Sequence, residues 1–166
     1  MFSIDRAAYR VRQLRRSLLP RVTRAERDDT RLVLGPQLFP LFASMQPADQ
    51  RHCLDVHARL VAGGCTNGEM LQAALIHDAG KSSIAGARFG MHHRIVYVVL
   101  QGFPGLLDGL ARRNRGIRSL HQHDQRTIEL AREYGASDGV VRLLLAIDGH
   151  TSDERAAALM AADDQS

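Results

Sequence analysis

Apolar residues along this chain recur mainly at spacings of three and four, which is the period of an amphipathic helix. The pattern predicts a first helix over residues 5–18, ended by Pro20. Residues 32–46 are apolar but broken by glycine and proline, so we expect only one or two short helical turns there. The next helix is expected to begin at Pro47 and to end at the glycine pair 63–64.

The helix after this glycine pair is expected to be central and buried. Thr66 followed by Glu69 resembles a capping box, in which two side chains satisfy free amides at a helix start. The run over residues 70–78 is apolar on most faces, which is typical of a helix surrounded by others. Residues 79–90 are rich in glycine and serine, and this composition predicts a loop.

The second half of the chain shows the same helical periodicity. No segment alternates over a sustained length with the period of two that a half-buried strand shows. The sequence therefore predicts an all-α protein. The expected helical segments are 91–100, 104–113, one capped by Ser119 and ending near 135, one capped by Ser137 and ending near 148, and one capped by Ser152 and ending near 163.

The length of 166 residues allows one domain. We expect residues 47–166 to form it and residues 1–46 to be an N-terminal helical extension packed on its core. Hydrophobic residues make up 45% of the chain, which is enough for a core that needs no disulfide or structural metal. Cys53 and Cys65 form neither a CxxC pair nor a disulfide framework, which favours a reducing compartment.

Targeting signals are not evident in the sequence. No apolar stretch approaches the roughly 20 residues that cross a bilayer, so we expect no transmembrane segment. The first residues carry acid and arginine before any apolar run, unlike a signal peptide, and we expect a cytoplasmic protein. The unusually apolar stretch 95–110 is expected to pack in the core, with a homodimer face or a membrane-surface contact as alternatives.

The basic residues are mostly arginines, and Lys81 is the only lysine among 22 of them, against 18 acids. The surplus of basic over acidic residues in positions 1–31 is expected to form a solvated helix face, with an electrostatic contact to nucleic acid or a partner as the alternative. Aromatic residues are only 5% of the chain and tryptophan is absent, so a stacking surface for single-stranded nucleic acid is not expected. Nucleic acid is therefore not an expected partner, and an arginine-rich helical nucleic-acid binder is kept only as a third alternative.

The most informative string is Leu-Ile-His-Asp-Ala-Gly-Lys at residues 75–81. It places an adjacent histidine and aspartate, His77 and Asp78, at the end of the most apolar helix. A carboxylate is rarely buried without compensation, because removing it from water is costly. The compensating group for Asp78 could be a basic side chain, a protonated His77 or a metal cation. A structural His-Asp pair and a functional site are both compatible with this pattern.

This string resembles the signature of the HD-domain metal-dependent phosphohydrolases, whose pattern is two apolar residues followed by His-Asp-x-Gly-Lys. The family also has a histidine about one helix upstream, with apolar residues two and four positions later, and His52 with Leu54 and Val56 matches this spacing. An aspartate after small apolar residues closes the domain, as Asp163 does here. The resemblance spans residues 47–164 and implies an all-α, HD-domain-like helical bundle around a metal site.

The resemblance implies a set of functional residues. The implied metal ligands are His52, His77, Asp78 and Asp163, with His57 as an alternative to His52 and Asp164 as an alternative to Asp163. The implied catalytic residues are Asp78 and Lys81, and Lys81 could bind a substrate phosphate as a point charge. The implied substrate-binding residues are Lys81, His123 and Arg94.

Two neutral imidazoles and two carboxylates carry a formal charge of −2, which one divalent cation would neutralise. Mixed nitrogen and oxygen ligands suit a first-row transition metal, namely Mn, Fe, Co, Ni or Zn, and Mg is less favoured but compatible. Ile147 stands where some members of the family have a further histidine, and His150 is displaced from the usual spacing. These departures argue against a second metal ion.

The expected function is metal-dependent hydrolysis of a phosphomonoester or phosphodiester, with a phosphorylated small molecule such as a nucleotide as substrate. A bound ion would lower the pKa of water and polarise a phosphoryl oxygen. The alternative is a non-catalytic HD-like module that binds a nucleotide or a partner protein. This alternative stays open because no second acid lies next to the motif in the sequence.

Overall fold

A computed structural model of the protein describes residues 21–86, 93, 96, 100, 103–149, 151 and 153–166. These residues form eight α-helices and a 3-10 turn, and no strand occurs among them, which confirms the predicted all-α class. The helices are α1 (Arg24–Ala43), α2 (Pro47–Ala62), α3 (Gly68–Ile76), α4 (Pro104–Arg113), α5 (Arg115–His121), α6 (His123–Glu133), α7 (Asp138–Ile147) and α8 (Glu154–Asp164), and the 3-10 turn is Ala79–Lys81.

Helix α1 is longer than the one or two turns predicted over residues 32–46. Thr23 begins it with a capping box: its side chain accepts from the Glu26 amide, and the Glu26 carboxylate accepts from the Thr23 amide. Gly35, at φ 66°, interrupts the helical geometry directly before Pro36. The prediction was wrong because a glycine in the left-handed region lets the chain turn at the proline and continue as helix.

Two predicted helix starts were also wrong. Asn67, not Thr66, caps α3, because its side chain accepts from the Met70 amide at 2.9 Å. Asn114 caps α5, whereas Ser119 lies inside that helix and donates its hydroxyl to the Arg115 carbonyl. Asparagine competes equally with serine and threonine at this position, so the sequence alone did not separate the candidates.

Other predicted boundaries are confirmed. Helix α2 runs from Pro47 to the Gly63 cap, α4 spans residues 104–113, and Ser137 caps α7 by accepting from the Val140 amide. Asp153 caps α8 by accepting from the Arg155 amide, so the predicted cap at Ser152 was wrong. Ser152 itself, the helix predicted over 5–18, residues 87–90 of the predicted loop and most of segment 91–100 lie outside the described residues.

Helix α3 is the central element, as its apolar sequence predicted. Ala73, Ala74, Leu75 and Ile76 are at most 1% exposed. It packs against α1, α2 and α7, while α8 lies across α2 and α7. Helix α1 contributes side chains such as Phe42 to the same core, and whether a domain boundary falls at residue 46 stays a prediction.

The end of α3 leads directly into the 3-10 turn, which packs against α6. Helices α4 and α5 enclose a second, smaller apolar cluster of Leu107, Ala111 and Ile117. None of the helices in the described ranges is both long and apolar enough to cross a bilayer. The packing brings the end of α3, the middle of α2, the end of α8 and the start of α6 to one place.

Candidate metal centre

Three side chains from three helices converge on one point. His52 from α2 and Asp163 from α8 approach each other with 2.7 Å between Nε2 and Oδ1. His77, at the end of α3, places its Nε2 atom 3.3 Å from the His52 Nε2 and 3.4 Å from the Asp163 Oδ1. Ligand atoms that share one first-row metal ion lie about 3 Å apart, since each is about 2.0–2.2 Å from the ion. The three residues could therefore hold a metal ion.

The backbone of α3 fixes the tautomer of His77. Its Nδ1 atom lies 2.9 Å from the carbonyl oxygen of Ala74, which can only accept a hydrogen bond. Nδ1 therefore carries a proton, and once the ring is neutral its Nε2 atom can direct a lone pair toward His52 and Asp163. This arrangement is the one that metal-ligating histidines show.

Asp163 faces both imidazoles through a single carboxylate oxygen. Its Oδ1 atom is buried and receives no well-aligned hydrogen bond, although two imidazole nitrogens lie within 3.4 Å. Burial raises the pKa of Asp163, but the adjacent imidazoles of His52 and His77 lower it more, so the net shift is downward. The carboxylate is thus charged and available to a cation at neutral pH.

The pKa of His77 is raised by the same surroundings that lower the pKa of Asp163. Burial lowers its pKa, but the neighbouring Asp78 and Asp163 carboxylates outweigh burial and raise the pKa well above its usual value. Cys53 is fully buried on α2, with its Sγ atom 3.7 Å from the His77 Nδ1, and burial raises the pKa of this thiol. A metal ion that binds His77 must therefore displace a proton from it.

Asp78 lies beside this triad but has its own partners. Its side chain is 6% exposed, and its Oδ1 atom is 2.7 Å from the Lys81 ammonium and 3.9 Å from the His77 Nε2. Burial raises the pKa of Asp78, but the charges of Lys81 and His77 lower it far more. Lys81 is thus the basic side chain that compensates for burial of Asp78. Of the four predicted ligands, Asp78 is the one that does not belong to the close cluster formed by His52, His77 and Asp163.

A buried threonine on α6 holds the turn that carries Asp78 and Lys81. The Thr127 hydroxyl donates to the His77 carbonyl at 3.0 Å and accepts from the Gly80 amide at 2.8 Å. A Cβ atom on Gly80 would overlap the His123 carbonyl, so the motif glycine allows the turn to touch α6. The apolar-His-Asp-x-Gly-Lys string is therefore shaped by contacts with α6 that the sequence did not reveal.

His123, at the start of α6, lies at the edge of the centre. Its Nε2 atom is 3.8 Å from the Asp78 Oδ1 and 3.1 Å from the Asp124 Oδ1, and its Nδ1 atom lies 2.6 Å from the Leu120 carbonyl. Burial and the Lys81 ammonium lower the pKa of His123. The residue predicted to bind substrate is thus close to both Asp78 and Lys81.

Asp124 was missed by the sequence reasoning. It lines a small cavity beside the centre together with His77, Thr127, Leu144 and Ile147. The signal that could have found it is the second adjacent His-Asp pair in the chain, at residues 123–124, which repeats the pattern of residues 77–78. Ile147 is one of the apolar residues that line this cavity.

The positions of His57 and Asp164 separate them from His52 and Asp163, for which they were the alternatives. His57 does not join the cluster; its Nε2 atom is buried without a hydrogen-bond partner, and burial lowers its pKa. Asp164 is exposed, so Asp163 is the aspartate that reaches the centre. Arg94 and His150 lie outside the described residues.

A scan against family models found no match for this chain, and comparisons with curated proteins and with solved structures found none either.

Proposed function

We propose that this protein is a metal-dependent phosphohydrolase that acts on a phosphomonoester or phosphodiester such as a nucleotide. The observation that carries the proposal is the convergence of His52, His77 and Asp163 from three helices, with their nitrogen and oxygen atoms 2.7–3.4 Å apart. The resemblance of residues 75–81 to the HD-domain signature supports the same proposal.

The chain's own residues divide into a metal-holding and a phosphate-holding group. His52, His77 and Asp163 would hold one divalent ion, with Asp78 as the fourth ligand. Mn, Fe, Co, Ni or Zn suits these donors, and Mg suits them less well. When bound, such an ion supplies an activated water and polarises a phosphoryl oxygen.

Lys81 would orient the substrate. Its ammonium lies within 2.7 Å of Asp78, at the edge of the centre, where it could exchange this carboxylate for a phosphate oxygen. His123 lies on the same side and could bond a second oxygen. Arg94 is proposed as a further substrate-binding residue on the basis of the sequence alone, because it lies outside the described residues.

The second candidate is a non-catalytic HD-like module that binds a nucleotide or a partner protein. The Asp78–Lys81 ion pair favours it, because that pair neutralises the motif aspartate without a metal. In this case the His-Asp pair would be structural. A cytoplasmic location and a homodimer remain predictions under either candidate.

The two candidates are separated by turnover. Protein loaded in turn with Mn, Fe, Co, Ni, Zn and Mg is offered a panel of phosphomonoesters, phosphodiesters and nucleotides, and phosphate release is measured. We expect turnover with at least one transition metal and its loss in His77→Ala, with His57→Gln as the matched histidine control that stays active. A loaded wild type that turns over nothing while binding a nucleotide would favour the binding module.

A further inference from the structure

The cavity beside the metal centre has a volume of about 20 Å³. A site of roughly 10–15 Å³ by this measure is enough for one water molecule, provided that it has polar partners. Its apolar lining residues are Leu144 and Ile147, and its polar ones are His77, Thr127 and Asp124. The cavity therefore has the size and the polar lining to hold a single water.

Asp124 is the acid among the lining residues, and it differs from the other two carboxylates at the centre. The Asp78 Oδ1 is held by Lys81, and the Asp163 Oδ1 faces two imidazoles. The Asp124 side chain is 45% exposed, and its contact at the centre is the His123 Nε2 at 3.1 Å. It can therefore accept a hydrogen bond from a water in the cavity and exchange a proton with solvent.

We propose that Asp124 is a catalytic residue that orients the attacking water and accepts its proton. The proposal rests on the phosphohydrolase function above and supplies the second acid that the sequence motif lacks. The water oxygen forms a bond to phosphorus, and one water proton moves to the Asp124 carboxylate. The bond between phosphorus and the ester oxygen breaks with its electron pair on that oxygen, which takes a proton from solvent. Asp124 then returns its proton to solvent.

The charge of Asp124 gives this role a kinetic signature. A carboxylate beside a bound phosphate repels it, so removing the charge should not weaken substrate binding. Loss of a general base lowers turnover by about 10²–10⁴-fold. Asp124→Asn is therefore expected to lower kcat by at least about 100-fold without raising KM. A residue that only positions His123 or the substrate would raise KM instead.

The test uses the full-length, metal-loaded protein with p-nitrophenyl phosphate and bis-p-nitrophenyl phosphate as probes. Asp138→Asn is the matched control, because Asp138 also lies in the first turn of a helix but is exposed on α7, away from the cavity. Metal content and Tm are measured for each variant, and we expect both to stay at the wild-type value. A high-resolution crystal structure of the loaded wild type is expected to show a water bonded to Asp124.

Three results would overturn the proposal in distinguishable ways. An active wild type whose Asp124→Asn variant keeps its kcat overturns the role of Asp124 and leaves the proposed function intact. Equal kcat values for His123→Asn and for His123→Asn combined with Asp124→Asn show that Asp124 acts only through His123, which also overturns it. A loaded wild type that is inert on both probes, although the water is present, overturns the phosphohydrolase function and the proton transfer with it.

Discussion

The Nε2 atom of His52 lies 2.7 Å from the Oδ1 atom of Asp163, which joins α2 to the last helix of the chain. Helix α8 packs on α2 and α7, so this contact closes the bundle at the same place where His77 leaves α3. Assembly of the candidate metal centre is thus coupled to docking of the C-terminal helix. Because of this coupling, metal binding at the centre should change the stability of the fold, so stability measurements can test it as well as activity assays.

Metal binding should stabilise the fold. A ligand at 100 times its Kd adds about 2.7 kcal/mol to the free energy of unfolding, which is roughly 5–10 °C in Tm for a protein of this size. We expect this increase when Mn or Co is added to wild-type protein after removal of metal with a chelator. Asp163→Asn should abolish it. An equal rise in Tm for the variant would show that the ion binds elsewhere.

Thr127→Val should be strongly destabilising. Valine has the same shape as threonine but would leave the buried carbonyl of His77 and amide of Gly80 without their partner. Each unsatisfied group costs about 1–3 kcal/mol. Denaturant unfolding measures the loss, and Thr127→Ser, which keeps the hydroxyl, should retain most of the stability. A valine variant as stable as the serine variant would contradict the assigned hydrogen bonds.

Gly80→Ala should separate the 3-10 turn from α6. The new methyl group would overlap the backbone carbonyl of His123, which cannot move without shifting the helix. Overpacking of this kind costs about 1–3 kcal/mol. Gly68→Ala is the matched control, since a Cβ there meets no atom, and it should be neutral or up to about 1 kcal/mol stabilising. Equal unfolding free energies for the two variants would contradict the close approach.

His57 should make the fold less stable in mild acid. Burial lowers the pKa of its ring, whose Nε2 atom has no partner, so the unfolded chain binds a proton more readily than the folded one. Stability therefore rises with pH and is lost as the pH falls through the unfolded pKa of about 6.5.

The free energy of unfolding in chelator should therefore fall more for wild type than for His57→Gln between about pH 8 and pH 5. The comparison isolates His57, because the titrating groups of the metal centre are the same in both proteins. Parallel pH profiles for the two proteins would contradict the account.

The resemblance favoured His52 over His57 and Asp163 over Asp164, and in the structure His52 and Asp163 are the residues that lie beside His77. That these residues hold an ion stays a prediction. The cap at Asn67 was missed because neighbouring polar residues compete for the same role.

Contacts between helices account for the remaining misses. The Thr127 hydrogen bonds and the place of Asp124 beside His77 depend on how α6 packs on the 3-10 turn. The sequence offered a basic side chain, a protonated His77 or a cation as the group that compensates for burial of Asp78. In the structure Lys81 lies nearer to the Asp78 carboxylate than His77 does, and both contribute. Such long-range contacts leave no local pattern.

The central claim is that His52, His77 and Asp163 hold one divalent ion. Elemental analysis of purified, tag-free protein tests it most directly, after incubation with Mn, Fe, Co, Ni or Zn and removal of free metal. We predict about one ion per chain in the wild type and in His57→Gln, and none in His77→Ala. A wild type without metal after every incubation, or a His77→Ala variant that keeps its ion, would contradict the claim.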